Sequence, residues 1–203
     1  VDEQVGRVLD ALENSPHADN TIIVLWSDHG QHLGEKRHFR KQALWEEASR
    51  VPLFFYDPRN PKAGTCAEPA SLLDLYPTLL DLCGLPANAH NDGMSLRPWI
   101  EGASQARERP VLISWRYKNT AVRSKHWRYI QYRDGTEELY DHRNDPGEHH
   151  NLAGQVAFAE VIAEHKRWLP AEPALPAGED RWEGDKYDDL IVAWQDSVPV
   201  WLE

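Results

Sequence analysis

The stretch Thr21-Ile22-Ile23-Val24-Leu25-Trp26-Ser27-Asp28-His29-Gly30 constrains this chain more than any other. An apolar run rich in β-branched residues stops abruptly at three polar residues and a glycine. That pattern predicts a fully buried strand running up to the edge of a sheet. In open α/β sheets ligands sit beyond the carboxyl ends of the strands, so Asp28 and His29 fall where chemistry is favoured. Once the strand has ended, period-2 alternation no longer separates neighbours, and both side chains can turn toward one metal ion. Gly30 lets the backbone turn sharply without a Cβ. Taken alone, Asp-His-Gly more often marks a strand end whose Asp merely caps the next turn.

The residues beyond Gly30 bear on that choice. Lys36, Arg37, Arg40 and Lys41 place four cations within six residues. Such a run is either a solvated basic loop or a locally basic site for an anion. The chain as a whole carries a net charge of −11, which argues against nucleic acid as a main partner because no basic stripe offsets phosphate repulsion. With 203 residues it can bury one sizeable core, or a core and a satellite. No run approaches a membrane span, and the N-terminus shows no signal-peptide pattern. It opens at Val1 without a methionine, already in a helical rhythm, and is expected to be a fragment. Cys66 and Cys83 are too few for a disulfide framework or a zinc site. The compartment is not legible from them.

In order along the chain, Val5, Val8, Leu9 and Leu12 predict an amphipathic helix over residues 1–13, with Gly6 packed closely on a sheet. After the basic loop, residues 42–48 read as a short helix and Val51–Tyr56 as a second buried strand. Leucines at 72, 73, 75, 79, 80 and 82 predict a helix over 71–83, stopped by Gly84, with Pro77 at its start or at a kink. From Pro110 the pattern changes to short alternating runs: Val111–Trp115, Thr120–Arg123, Trp127–Tyr132 and Glu138–Tyr140. Asp134-Gly135 is a strong hairpin signal, and a small antiparallel sheet is expected. Asn151 is positioned to cap a helix over 153–168 that covers one face of it. Residues 170–203 are rich in Pro, Trp and acid, with no repeat.

Several segments together resemble the sulfatase family, with an iduronate-2-sulfatase-like flavour. They are Asp2-Glu3-Gln4-Val5-Gly6-Arg7-Val8-Leu9, then Ser27-Asp28-His29-Gly30 with Leu33-Gly34-Glu35, Lys41 and Arg50-Val51-Pro52-Leu53. Farther on come Asp74-Leu75-Tyr76-Pro77-Thr78-Leu79-Leu80, Asp92-Gly93-Met94-Ser95-Leu96, and Glu138-Leu139-Tyr140-Asp141 with Asp145-Pro146 and Asn151-Leu152. The resemblance spans residues 2–153 and is specific in combination. It implies an α/β fold, the C-terminal part of an alkaline-phosphatase-like sandwich with a small antiparallel β-sheet plus helix subdomain. The expected division is 1–106 for the α/β part, 107–170 for the small sheet and helix, and 171–203 for a tail of unassigned role.

It further implies hydrolysis of a sulfate ester on a small molecule or glycan, with one calcium ion (Ca2+) and a formylglycine made from a Cys or Ser outside this chain. Asp28 and His29 match the metal-binding pair, and Lys41 the lysine on the sulfate. A carboxylate is an ordinary hard-cation ligand, and a Lys ammonium is a point charge suited to a sulfate oxygen. His29 suits calcium less well, so a role beside the metal, on nucleophile or sulfate, stays open. His38, Gln31 and His32 are candidates for substrate contact because they share the loop. Members of the family are often exported. The nucleophile motif Cys/Ser-x-Pro-x-Arg does not occur here, so the chain alone carries about half a site and is expected to be inactive. Two alternatives stand beside this: a two-metal phosphohydrolase of the same superfamily, where zinc would welcome the imidazole, and a non-catalytic sulfatase-derived module. Oligomeric state and the particular ester are not encoded legibly.

Overall fold

The computed structural model describes residues 1–173. The expected tail therefore lies, from residue 174 on, outside the described residues.

Helix α1 (Asp2–Glu13) leads into strand β1 (Ile23–Trp26). β1 pairs antiparallel with β4 (Leu53–Tyr56), Leu25 opposite Phe54 and Ile23 opposite Tyr56. Directly opposed residues share a face, and this one is bare: Leu25, Phe54 and Tyr56 are 41%, 62% and 47% exposed. The expectation of fully buried strands is thus corrected. An all-apolar strand needs layers on both faces, and no described segment covers this side. Helix α1 likewise has no buried residue, and a Cβ at Gly6 would meet nothing within 4 Å, so the expected close packing there is absent.

Between β1 and β4 lie a tiny hairpin, β2 (His32–Leu33) with β3 (Phe39–Arg40), and helix α2 (Glu46–Ser49). The helix expected over 42–48 starts later, because Leu44 and Trp45, in a bent segment, pack into the small sheet's core. Helix α3 (Leu75–Leu82) follows a 3-10 turn at Leu72–Asp74. Ser71 and the buried Asp74 cap that turn reciprocally. Pro77 sits in the first helical turn, and Gly84 ends the helix at φ +66°. Asp74 also binds Arg107 at 2.7 Å and the Met94 amide at 2.9 Å, so this motif is packing. A short helix α4 (Arg97–Ile100) precedes the change of character.

The C-terminal sheet has strands β5 (Val111–Ser114), β6 (Thr120–Arg123), β7 (Trp127–Gln131) and β8 (Glu137–Asp141), in that order and all antiparallel. Gly135, at φ +87°, turns the β7–β8 hairpin as its Asp-Gly signal predicts. Val122, Tyr129 and Leu139 face helix α5 (Ala159–Lys166) through Ile162. Ala121, Ile130 and Tyr140 face the other way, onto Leu44 and Trp45. The loop after β3 is therefore the second cover of this sheet. Helix α5 starts later than expected because Asn151 does not cap it. Its Oδ1 instead accepts the amides of Leu139 at 3.0 Å and Ala153 at 2.9 Å, holding the chain alongside β8.

Charge sits inside this junction. Arg128, 1% exposed, binds the Glu46 carboxylate and the Leu44 carbonyl (2.7 Å), and its Nε lies 2.6 Å from Glu148 Oε1. Burial alone would raise the Glu46 carboxyl; Arg128 and Arg123 outweigh it and hold it at about 2. A depressed carboxyl stabilises the fold above its unfolded value of 4.5, and that contribution is lost as pH falls toward 2. Wild-type protein should therefore lose about 2 kcal/mol more than Glu46→Gln between pH 6 and pH 3 in urea unfolding. Parallel curves for the two proteins would show that Glu46 does not hold an ionised pair.

Candidate active site

Leaving β1 at Trp26, the backbone turns through Ser27, whose hydroxyl donates to the His29 carbonyl at 3.0 Å. The His29 amide donates to Asp28 Oδ1, also at 3.0 Å, so Asp28 does cap its own turn. Its other oxygen remains for chemistry, lying 3.3 Å from His29 Nε2, with the Asp28 side chain 81% exposed. The His29 ring contacts the Gly30 carbonyl through Nδ1 at 2.9 Å. A carbonyl only accepts, so Nδ1 carries the hydrogen and Nε2 presents its lone pair. Lys41 Nζ stands 2.6 Å from that Nε2 and supplies a donor.

Asp28, His29 and Lys41 thus meet at one point. An imidazole lone pair and a carboxylate oxygen close together, with no hydrogen between them, attract a cation. Lys41 provides one, and a divalent ion fits the same donor pair. Two donors are few for a hard cation that takes six to eight oxygens, so further ligands must come from outside this group.

Gly30 locks the turn to its neighbour. Its amide donates to Ala48 O of α2 at 2.9 Å, and a Cβ there would lie 1.9 Å from Glu47 O. The glycine is needed for this close approach, as the absence of room for a Cβ requires, and not for a left-handed φ.

The other candidates are placed differently. Gln31 is exposed at the head of the loop. His38 is half-buried, edge-on to His32 (5.0 Å between ring centroids) and Trp45 (5.8 Å), with Nε2 enclosed and unbonded. Burial, and then His32, lower its pKa. The contacts of His38 are with this aromatic group, not with Asp28, His29 or Lys41. His32 is fully buried, so its ring belongs to the interior, where neither nitrogen has a hydrogen-bond partner among the described residues. The basic run also splits: Lys41 faces His29, while Lys36 turns inward to Tyr140 and Glu148. Sequence reasoning did not anticipate that inward turn, because the partners lie more than a hundred residues away.

A second acidic group, Glu46, His142 and Glu148, brings ligand atoms within 4.8 Å of one another. It does not suit a cation. Arg128 and Arg123 already engage Glu46, Arg128 lies on Glu148, and His142 bridges Arg123 (3.0 Å) to Glu148 (2.8 Å). Two guanidiniums would repel an arriving metal ion.

This strand-end group on a mixed α/β frame, with a small antiparallel sheet and helix attached, defines an alkaline-phosphatase-like fold. Residues 1–85 match the sulfatase family model. A sulfatase of Formosa agariphila is 46% identical over 92% of this chain and 37% of its own length. The delta 4,5-hexuronate-2-O-sulfatase of Bacteroides thetaiotaomicron is 35% identical over 83% of this chain and 38% of that protein. The solved structure of BT4656, in complex with D-glucosamine-2-N,6-O-disulfate as its substrate, superposes with a TM-score of 0.72. It is 27% identical and covers 100% of this chain and 40% of the other. The chain belongs to the sulfatase family, and it spans under two-fifths of the length of these curated relatives. That family generally uses a formylglycine and a divalent metal.

Gly30→Ala is expected to destabilise the protein by about 2–3 kcal/mol, since Glu47 O is backbone and cannot step aside cheaply. Gly64→Ala, where a Cβ meets nothing within 4 Å, should stay within about 0.5 kcal/mol. Urea unfolding of both variants checks the pair.

Proposed function

We propose that the protein carrying this chain hydrolyses a sulfate ester at the Asp28–His29–Lys41 group. The observation that supports it most is Lys41 Nζ on His29 Nε2, beside Asp28, in a sulfatase-family chain. Lys41 donates to a sulfate oxygen and takes up charge that grows there in the transition state. Asp28 offers a hard oxygen to calcium. His29, with Nδ1 tied to Gly30 O, keeps Nε2 directed at the metal or the sulfate. When bound, the calcium ion neutralises sulfate oxygens and the formylglycine, from a Cys or Ser beyond this chain, supplies the attacking oxygen. Gln31 and His38 are assigned to the substrate side of the loop.

The bare face of Leu25, Phe54 and Tyr56 fits this reading, because a sheet so apolar calls for further strands or helices upon it. In that arrangement residues 1–106 form part of the catalytic α/β domain and 107–170 the small sheet and helix packed against it. For the substrate we favour a sulfated glycan, such as a 2-O-sulfated uronic acid. Similarity to the hexuronate-2-O-sulfatase supports it. A phosphohydrolase is disfavoured because the sequence relatives are named sulfatases. No described helix is long and apolar enough to cross a membrane.

In the protein expressed from its whole reading frame, Lys41→Ala should lower kcat/KM on a sulfated uronide by about 10²–10³-fold. Asp28→Asn should weaken calcium binding, read by isothermal titration. Faster turnover of a matched phosphate ester, or unchanged activity in Lys41→Ala, would sink the reading.

A further inference from the structure

Four residues of the loop that carries Lys41 have backbone in the left-handed region: Gly34 (φ +131°), Lys36 (+54°), Arg37 (+57°) and Arg40 (+83°). Only the first is a glycine. Side-chain-bearing residues reach that region at a cost, and three in one short loop persist only if the surroundings hold them there. The hairpin's own bonds, Gly34 N to His38 O (3.1 Å), Arg37 N to Gly34 O (2.9 Å), His38 N to Glu35 O (3.0 Å) and Leu33 N to the Glu35 carboxylate (2.6 Å), tie residues 33–38 to one another and do not reach Lys41. What seats the loop, and Lys41 with it, on the rest of the molecule must come from outside the hairpin.

It comes from Glu148, itself at φ +56° and 1% exposed. Its carbonyl accepts Lys36 Nζ, and its carboxylate accepts the Glu46 amide at 2.8 Å. One residue therefore takes both ends of the segment 36–46, and Lys41 lies midway between the two anchors. At the first anchor, Lys36 Nζ also donates to Tyr140 Oη at 2.8 Å. It sits 4.7 Å from the Trp45 ring centroid and 4.3 Å from that of Tyr140. A cation held between two ring faces with two directed hydrogen bonds has little freedom. At the second anchor, Arg128 and His142 fix the Glu148 carboxylate, Arg128 also binds Leu44 O, and Trp45 Nε1 donates to Glu138 at 2.7 Å.

We propose that Lys36 is a positioning residue: clasped by Glu148 and Tyr140, it holds the left-handed loop that sets Lys41 on His29. The small C-terminal sheet is then a working part of the site, gripping the loop from behind. Lys36 touches neither substrate nor metal; its effect passes through Lys41. This rests on the assignment of Lys41 to the sulfate.

A double-mutant cycle on the full-length enzyme tests it, with kcat and KM for a sulfated uronide and the thermal midpoint measured for each protein. Lys36→Met should lower kcat about tenfold or more while KM moves less than about threefold. In a Lys41→Ala background the same change should have almost no further effect, under about twofold. Where Lys36→Met fails to fold, Tyr140→Phe reads the same coupling, since it removes one hydrogen bond and leaves the ring packed. A damaging Lys41→Ala with a silent Lys36→Met or Tyr140→Phe, or losses that simply multiply, would overturn the clasp while leaving Lys41 in place. An active Lys41→Ala would bring down the assignment of Lys41, and the clasp with it.

Discussion

Arg128 carries its guanidinium almost wholly out of water, between the carboxylates of Glu46 and Glu148. A buried charge is tolerable only when opposite charges stand close around it and the net charge nearly closes. Here Arg123 and His142 complete the set, and the two acids come from segments 102 residues apart: Glu46 from the start of α2, Glu148 from the turn after β8. Remove that meeting and the loop after β3 loses its seat on the small sheet. The candidate site depends on it at one remove, since α2 also receives the Gly30 amide.

Two kinds of bond hold the site together. Within the strand end the contacts are local: Ser27, Asp28 and Gly30 bond their immediate neighbours and fix the His29 ring. Lys41 is brought in by long-range anchors, because a strained hairpin cannot place an exposed side chain unaided. Leu44, 1% exposed, and Trp45 supply the apolar share of that anchoring against Ala121, Ile130 and Tyr140. The charge network, being directional, sets the register in which they seat.

Much of the architecture is readable from local pattern. Strands β5 to β8 fall within a residue or so of where alternation and the Asp134-Gly135 turn predict them, because period-2 burial and hairpin chemistry are local properties. Helix α3 and its Gly84 stop are legible for the same reason. The failures share a cause as well. Residues 42–45 have a helical look but form a bent, non-helical segment that plugs a distant sheet, and Asn151 bonds back to β8 instead of capping a helix. In both places a long-range partner overrides local propensity.

Sequence by itself determined the chemistry available: a carboxylate, an imidazole and a glycine at a strand end, a basic loop after it, and the motifs that mark a sulfatase. Those are contiguous residues whose types and spacing carry the meaning. Only the tertiary structure decided where each cation of the basic run points. Lys36 and Lys41 are both loop lysines in one basic run, yet one meets His29 and the other is taken into the interior by Tyr140 and Glu148. The family resemblance singles out Lys41, but the inward turn of Lys36 is not legible locally, because its partners lie across the chain and reach it only when the sheet has formed.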